Sequence, residues 1–175
     1  HPDHNVIITT HAYLFRDGTT LDDGDLVPPS TTGGTNDGDD IWEKLVSKHE
    51  NIVLVMSGHD PTESIVVNRS KGDNGNTVTA MLIDAQDVEA QEGSMGMVAM
   101  LYFSADGKNV QVEYYSVAKE KYFMSENQFA LELDVVEAAS NATAPATGAY
   151  TTVDLSEGSS YTTTVDDSQR ITLSE

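Results

Sequence analysis

The stretch IVLVMSGHDP, Ile52 to Pro61, decides how this chain folds. Ile52 to Met56 is a continuous apolar, β-branched run that stops at Ser57-Gly58 and meets a histidine, His59. A short run of this kind is a strand covered on both faces. An earlier stretch, VIITTHAYL at Val6 to Leu14, ends in the same way, with small polar residues and then His11. Between the two, DDIWEKLVSKHEN (Asp39 to Asn51) carries helix signals: Asp39 or Asp40 as N-cap, acid in the first turn, apolar Ile41, Trp42, Leu45 and Val46 at helical spacing, and Lys48 and His49 near the end. Strand, amphipathic helix, strand implies two parallel strands joined right-handedly. Ligands in open α/β sheets collect outside the carboxyl ends of such strands, and both histidines fall there. Neutral imidazole is a common ligand for borderline divalent cations, so His11 and His59 are the candidate metal ligands.

From Glu63 the hydrophobic period changes to two. SIVVNRS and TVTAMLIDAQ flank the turn-forming KGDNGN, and GMVAMLYFS and NVQVEYYSV flank ADGK, whose Asp106-Gly107 is a strong hairpin signal. QFALELDV makes one further strand. In Val98 to Phe103 nearly every residue is apolar, which predicts a central strand buried on both faces. NVQVEYYS alternates and predicts one face toward water. Met95, Met97 and Met100 read as core filler. The fold class expected is α/β (α+β), with one main helix and mostly antiparallel strands.

A loop from about Arg16 to Asp40 is far longer than the roughly 4–6 residues usual for a connection. Its acids, Asp22 to Asp25 and Asp37 to Asp40, lack the order of an EF-hand and read as a solvated acidic loop. From about Glu137 the composition shifts to Ala, Ser and Thr, with a near-repeat at Tyr150 to Asp154 and Tyr161 to Asp166. Two domains are therefore expected: residues 1–135, and residues 136–175 as a linker with edge strands or a disordered Thr-rich tail.

The 175 residues carry 9 Lys+Arg against 29 Asp+Glu, a net charge of −20, which repels polyanions and argues against nucleic acid and anionic membranes as partners. A phosphorylated small substrate is allowed only where bound cations supply positive potential. The absence of cysteine excludes disulfides, thiolate zinc sites and a Cys nucleophile. No run is long enough to span a membrane. HPDHN does not resemble a signal peptide, and a strand following so closely reads as a cut inside a longer protein. There is no G-x-S-x-G elbow and no glycine-rich phosphate loop.

VIITTHAYL, DGDDIWEKLVSKHENIVLVMSGH, GNTVTAMLIDAQ, GMVAMLYFSADGKNVQVEYYS and NQFALEL, in that order and spacing, resemble the C-terminal half of a calcineurin-like metallophosphoesterase over about Asp3 to Leu133. The resemblance implies half of an αββα sandwich that holds one or two divalent ions (Zn, Mn or Fe). It implies that His11 matches the family's lone histidine and His59 the first histidine of its G-H-x-H loop. The family's D-x-H, G-D-x-x-D and G-N-H segments are absent here, and Pro61 stands where the second histidine of the loop belongs. Asp60 is then the candidate substitute ligand.

The function expected is hydrolysis of phosphate mono- or diesters by metal-activated water in the full-length protein. The isolated fragment is expected to be inactive, its two histidines being too few to complete the coordination of an ion. The remaining partners implied are a phosphorylated small molecule, the missing N-terminal half of the domain, and a second copy through an exposed sheet edge. The acidic, cysteine-free, Thr-rich sequence points to an extracellular or cell-surface bacterial protein. The alternative is a non-catalytic β-rich surface or adhesion module with a degenerate metal site.

Overall fold

The computed structural model describes residues 3–22, 36–86, 96–137, 151–154 and 171–174. The chain divides into two units, His1–Glu137 and Ala138–Glu175. In the first unit, β1 (Val6–Thr9), β2 (Ile52–Ser57), β3 (Val66–Lys71) and β4 (Thr77–Leu82) form a mixed sheet in the order β1-β2-β4-β3. β1 and β4 both run parallel to β2, and β3 returns antiparallel on β4. The apolar run of β2 is thus the centre of the sheet, and Ile52 to Val55 are all buried. β1 has β2 as its one strand neighbour among the described residues, and its Ile7 is 41% exposed.

The crossover helix α1 spans Gly38–Lys44 and continues into a 3-10 turn at Val46–Lys48. Its N-cap is Asp37, not Asp39 or Asp40: the Asp37 carboxylate accepts the Asp40 N–H at 2.9 Å. Because the helix stops at Lys44, Leu45 is left exposed while Val46, in the 3-10 turn, is fully buried. Asp37 and Asp39 are therefore not simply solvated acids, since Asp39 also accepts the Thr20 hydroxyl. Asp23 and Asp25 lie outside the described residues, as does Met95.

The second sheet contains β5 (Met97–Phe103), β6 (Asn109–Ser116), β7 (Lys121–Tyr122) and β8 (Phe129–Glu132). β6 is central, with β5 on one side and β7 and β8 on the other, all antiparallel. Among the described residues β5 is an edge strand, contrary to the expectation that it is buried on both faces: Val98, Tyr102 and Phe103 are each more than two-fifths exposed. An apolar run records side chains, not which face another layer covers, and among the described residues no helix lies over this sheet's outer face. β6 alternates as its sequence predicts, with Val110, Val112, Tyr114 and Ser116 buried. Asp106 closes the β5–β6 hairpin by accepting the Ser104 hydroxyl and the Lys108 N–H, and Gly107 takes a φ of +72°.

Two apolar layers hold the unit together. Val53, Leu54 and Met81 of the mixed sheet pack on Val110, Val112 and Leu133 below the second sheet. On the other face, Tyr13, Leu14, Val46, Ile52, Val55, Val78, Ala80 and Leu82 pack with Ile41 and Trp42 of the helical segment. The architecture is helix on sheet on sheet, an α+β class with mostly antiparallel pairing. Met97 joins a smaller cluster with Tyr114 and Phe123, whereas Met100, opposite Glu113, accepts the Tyr102 hydroxyl on the outer face.

The second unit contributes a parallel pair, β9 (Thr151–Asp154) and β10 (Ile171–Ser174), in register from Thr151↔Ile171 to Asp154↔Ser174. β9 coincides with the first copy of the near-repeat. The second copy, Tyr161 to Asp166, lies outside the described residues.

Candidate metal centre

The parallel ladder between β1 and β2 runs beyond the strands themselves. Thr10 N–H donates to Met56 O at 3.0 Å, and Gly58 N–H donates to His11 O at 3.0 Å. His11 is thereby carried alongside Gly58-His59 at the carboxyl end of both strands. The rings meet edge to face, with centroids 4.6 Å apart and planes at 67°. His59 Nδ1 and His11 Nε2 are 2.9 Å apart across 48 positions of sequence. One ring's N–H donates to the bare nitrogen of the other.

His59 sits at φ +76°, in the left-handed region, while its neighbour Gly58 does not. A left-handed conformation is common for glycine and costs an ordinary side chain about 1 kcal/mol or more. Here a glycine is available one residue earlier, and the histidine nevertheless takes the strained position. That turn aims the imidazole back at His11.

The loops bearing the two rings are fixed to each other by Asp60 and Arg16. Asp60 is 3% exposed, and its carboxylate accepts the Arg16 backbone N–H at 2.6 Å and the guanidinium Nε–H at 3.1 Å. The Arg16 Nη2–H donates to the other oxygen. Both carboxylate oxygens are thus engaged by arginine, and among the described residues no group of three His, Cys, Asp or Glu side chains is placed to hold a metal ion. The structure gives Asp60 the part of a latch between loops. Behind His11, Tyr13 is buried at 2% exposure, and that burial, with the nearby Asp39 charge, pushes its phenol well above the usual range.

A third side chain reaches the same edge. Ile83 N–H donates to Ser57 O at 2.8 Å, and Thr62 N–H donates to Asp84 O at 2.8 Å. These bonds extend the β2–β4 ladder and bring Asp84 beside Gly58, where an added Cβ would lie 3.5 Å from Asp84 Oδ2. Sequence reading passed over Asp84, although MLIDAQ repeats the signal of an apolar run broken by a polar residue. Three adjacent parallel strands thus deliver His11, His59 and Asp84 to one end of the sheet.

Two nitrogens at about 2.1 Å from one ion would be separated by about 3.0 Å as adjacent ligands of an octahedron and about 3.4 Å in a tetrahedron. The observed 2.9 Å fits the first arrangement, and it is also an ordinary hydrogen-bond length. The donor set suits a borderline divalent cation. Two ligands do not complete the coordination of any such ion. No protein-family model matches this chain, and neither a curated protein nor a solved structure matches it.

Proposed function

We propose that this chain is the C-terminal half of a metal-dependent phosphoesterase domain, with His11 and His59 as two ligands of one divalent cation. The observation that carries the reading is the His59 Nδ1 to His11 Nε2 approach of 2.9 Å at the ends of adjacent parallel strands. The strained backbone at His59 supports it, because strain of this kind clusters at functional sites. The family resemblance over Asp3 to Leu133 supplies the chemistry.

A bound divalent ion polarises a phosphoryl oxygen and lowers the pKa of its water. The part of this chain is to hold two imidazoles at fixed separation, with Asp60 and Arg16 keeping their loops in place. The remaining ligands come, in this reading, from the other half of the domain, for which the edge of β1 is the natural docking strand. The same edge could pair with a second copy. The substrate class is a phosphorylated small molecule drawn in by the ions, against a net charge of −20. An extracellular or cell-surface setting belongs to the same reading.

One observation favours the alternative, a non-catalytic surface module. Pro61 stands where the resemblance puts a second histidine, and both oxygens of Asp60, the candidate substitute, accept from Arg16. The test compares the 175-residue chain with the longer protein that its gene encodes, each assayed on an aryl phosphate with manganese. The chain alone is expected to show no turnover. The longer protein is expected to hydrolyse the ester and to lose that activity in His59→Ala. No activity in the longer protein, together with no D-x-H, G-D-x-x-D or G-N-H segment in its sequence, would establish the module instead.

A further inference from the structure

The outer face of the second sheet carries a feature that phosphoester chemistry does not use. A cleft of about 460 Å³ is lined by Gln111, Glu113, Tyr122, Gln128, Phe129 and Ala130. It opens where the ladder on β6 passes from β7 to β8. In that gap the Gln128 side chain takes the place of a strand: its amide oxygen accepts the Tyr114 N–H at 3.1 Å, and its amide nitrogen donates to the carbonyls of Tyr114, Phe123 and Met124. Gln128 is therefore a fixed wall with its polar groups already spent.

Glu113 is the charged group of the cleft. Gln111 Nε2 donates to its Oε1 at 2.9 Å, and the Tyr122 hydroxyl donates to its Oε2 at 3.3 Å. It forms no ion pair among the described residues. Lys121 precedes Tyr122, but successive strand residues point to opposite faces, so its ammonium is directed away from this one. The ring of Tyr122 contributes π surface, and Tyr115 stands edge-on to it with centroids 5.4 Å apart; Phe129, opposite the buried Val112, turns its ring into the core instead. Tyr122 is 57% exposed, which leaves its ring open to a ligand.

We propose that this cleft binds an organic ammonium cation, its charge against Glu113 and its alkyl groups against the ring of Tyr122. A cation over an aromatic face is attracted by the ring quadrupole, and the Glu113 carboxylate beside the Tyr122 ring adds its charge at the same place. The net charge of −20 favours a cation over any anion. The negative potential is felt locally too: the Glu113 charge beside the Tyr122 phenol, first among several causes, raises that phenol's pKa. A neutral sugar would find the same ring, but Gln128 is spent on backbone groups and Glu113 already accepts two hydrogen bonds.

The experiment is an NMR titration of the full chain, with resolved Tyr ring signals, at about 0.15 M salt to screen diffuse attraction. The probes are choline and its neutral isostere 3,3-dimethyl-1-butanol. Saturable shifts of the Tyr122 ring with choline are expected, with none from the isostere. Glu113→Gln and Tyr122→Ala should each weaken choline about tenfold, whereas Tyr122→Phe, which keeps the ring, should stay within about twofold. Equal response to the isostere would overturn the proposal. So would choline shifts unchanged in both Glu113→Gln and Tyr122→Ala, or saturable shifts with glucose in place of choline.

Discussion

Gly38→Ala is expected to lower the melting temperature of the first unit by about 10 °C, the equivalent of about 3 kcal/mol. The helix begins directly on the segment that leaves β1. Leu21 N–H donates to Tyr13 O at 2.9 Å, Asp39 N–H donates to Leu21 O at 3.0 Å, and Gly38 lies between these bonds. A Cβ there would overlap the Tyr13 carbonyl oxygen and stand 2.7 Å from Leu21 N. Both obstacles are backbone, so no side-chain rotation relieves them. The helix must lift, or the Tyr13–Leu21 bond must open. Either movement strips cover from Trp42 and Tyr13 in the apolar layer under the sheet. Thermal unfolding followed by circular dichroism measures the effect, and a shift under about 2 °C would show that the helix start is not held against Tyr13.

The latch gives a second large effect with an uneven split between its partners. Asp60 is buried and Arg16 is not, with side-chain exposures of 2% and 48%. Arg16→Ala leaves a buried carboxylate without its countercharge, which costs about 3 kcal/mol, toward the lower end for a broken buried pair. Asp60→Ala leaves an arginine that water can solvate, so the loss is the hydrogen bonds and packing, about 2 kcal/mol. The more exposed residue should therefore be the more costly to remove. Urea denaturation of both variants checks the order. Equal and small losses, below about 0.5 kcal/mol each, would mean that the pair behaves as a surface salt bridge.

Much of this fold was legible because it rests on local signals. The buried run of β2, the helical spacing of Ile41, Trp42 and Val46, and the Asp106-Gly107 turn each announce themselves within a few residues. Strand–helix–strand chirality then places β1 parallel to β2 and brings His11 near His59 without further information. What escaped is non-local. Asp60 read as a candidate metal ligand, and its pairing with Arg16 was not visible because that partner lies 44 positions away. Val98 to Phe103 read as central because apolar composition does not say which layers exist to cover a strand. The cap moved from Asp39 or Asp40 to Asp37 because Gly38, the residue that fits against the Tyr13 backbone, has to come directly after it. Asp84 went unnoticed since β4 was read only as half of a hairpin, and its parallel pairing with β2 carries it to the site edge.

The central claim is that His11 and His59 act together on one divalent ion, and paramagnetic broadening by substoichiometric Mn²⁺ tests it most directly. With the 175-residue chain labelled at histidine, the imidazole signals of His11 and His59 should broaden together and first, ahead of His4 and His49. In His59→Ala the His11 signal should lose that preference, since one imidazole holds a divalent ion weakly. Broadening spread evenly over all histidines, and unchanged by His59→Ala, would mean that Mn²⁺ follows only the diffuse negative charge of the surface and that the pair is a hydrogen bond between loops.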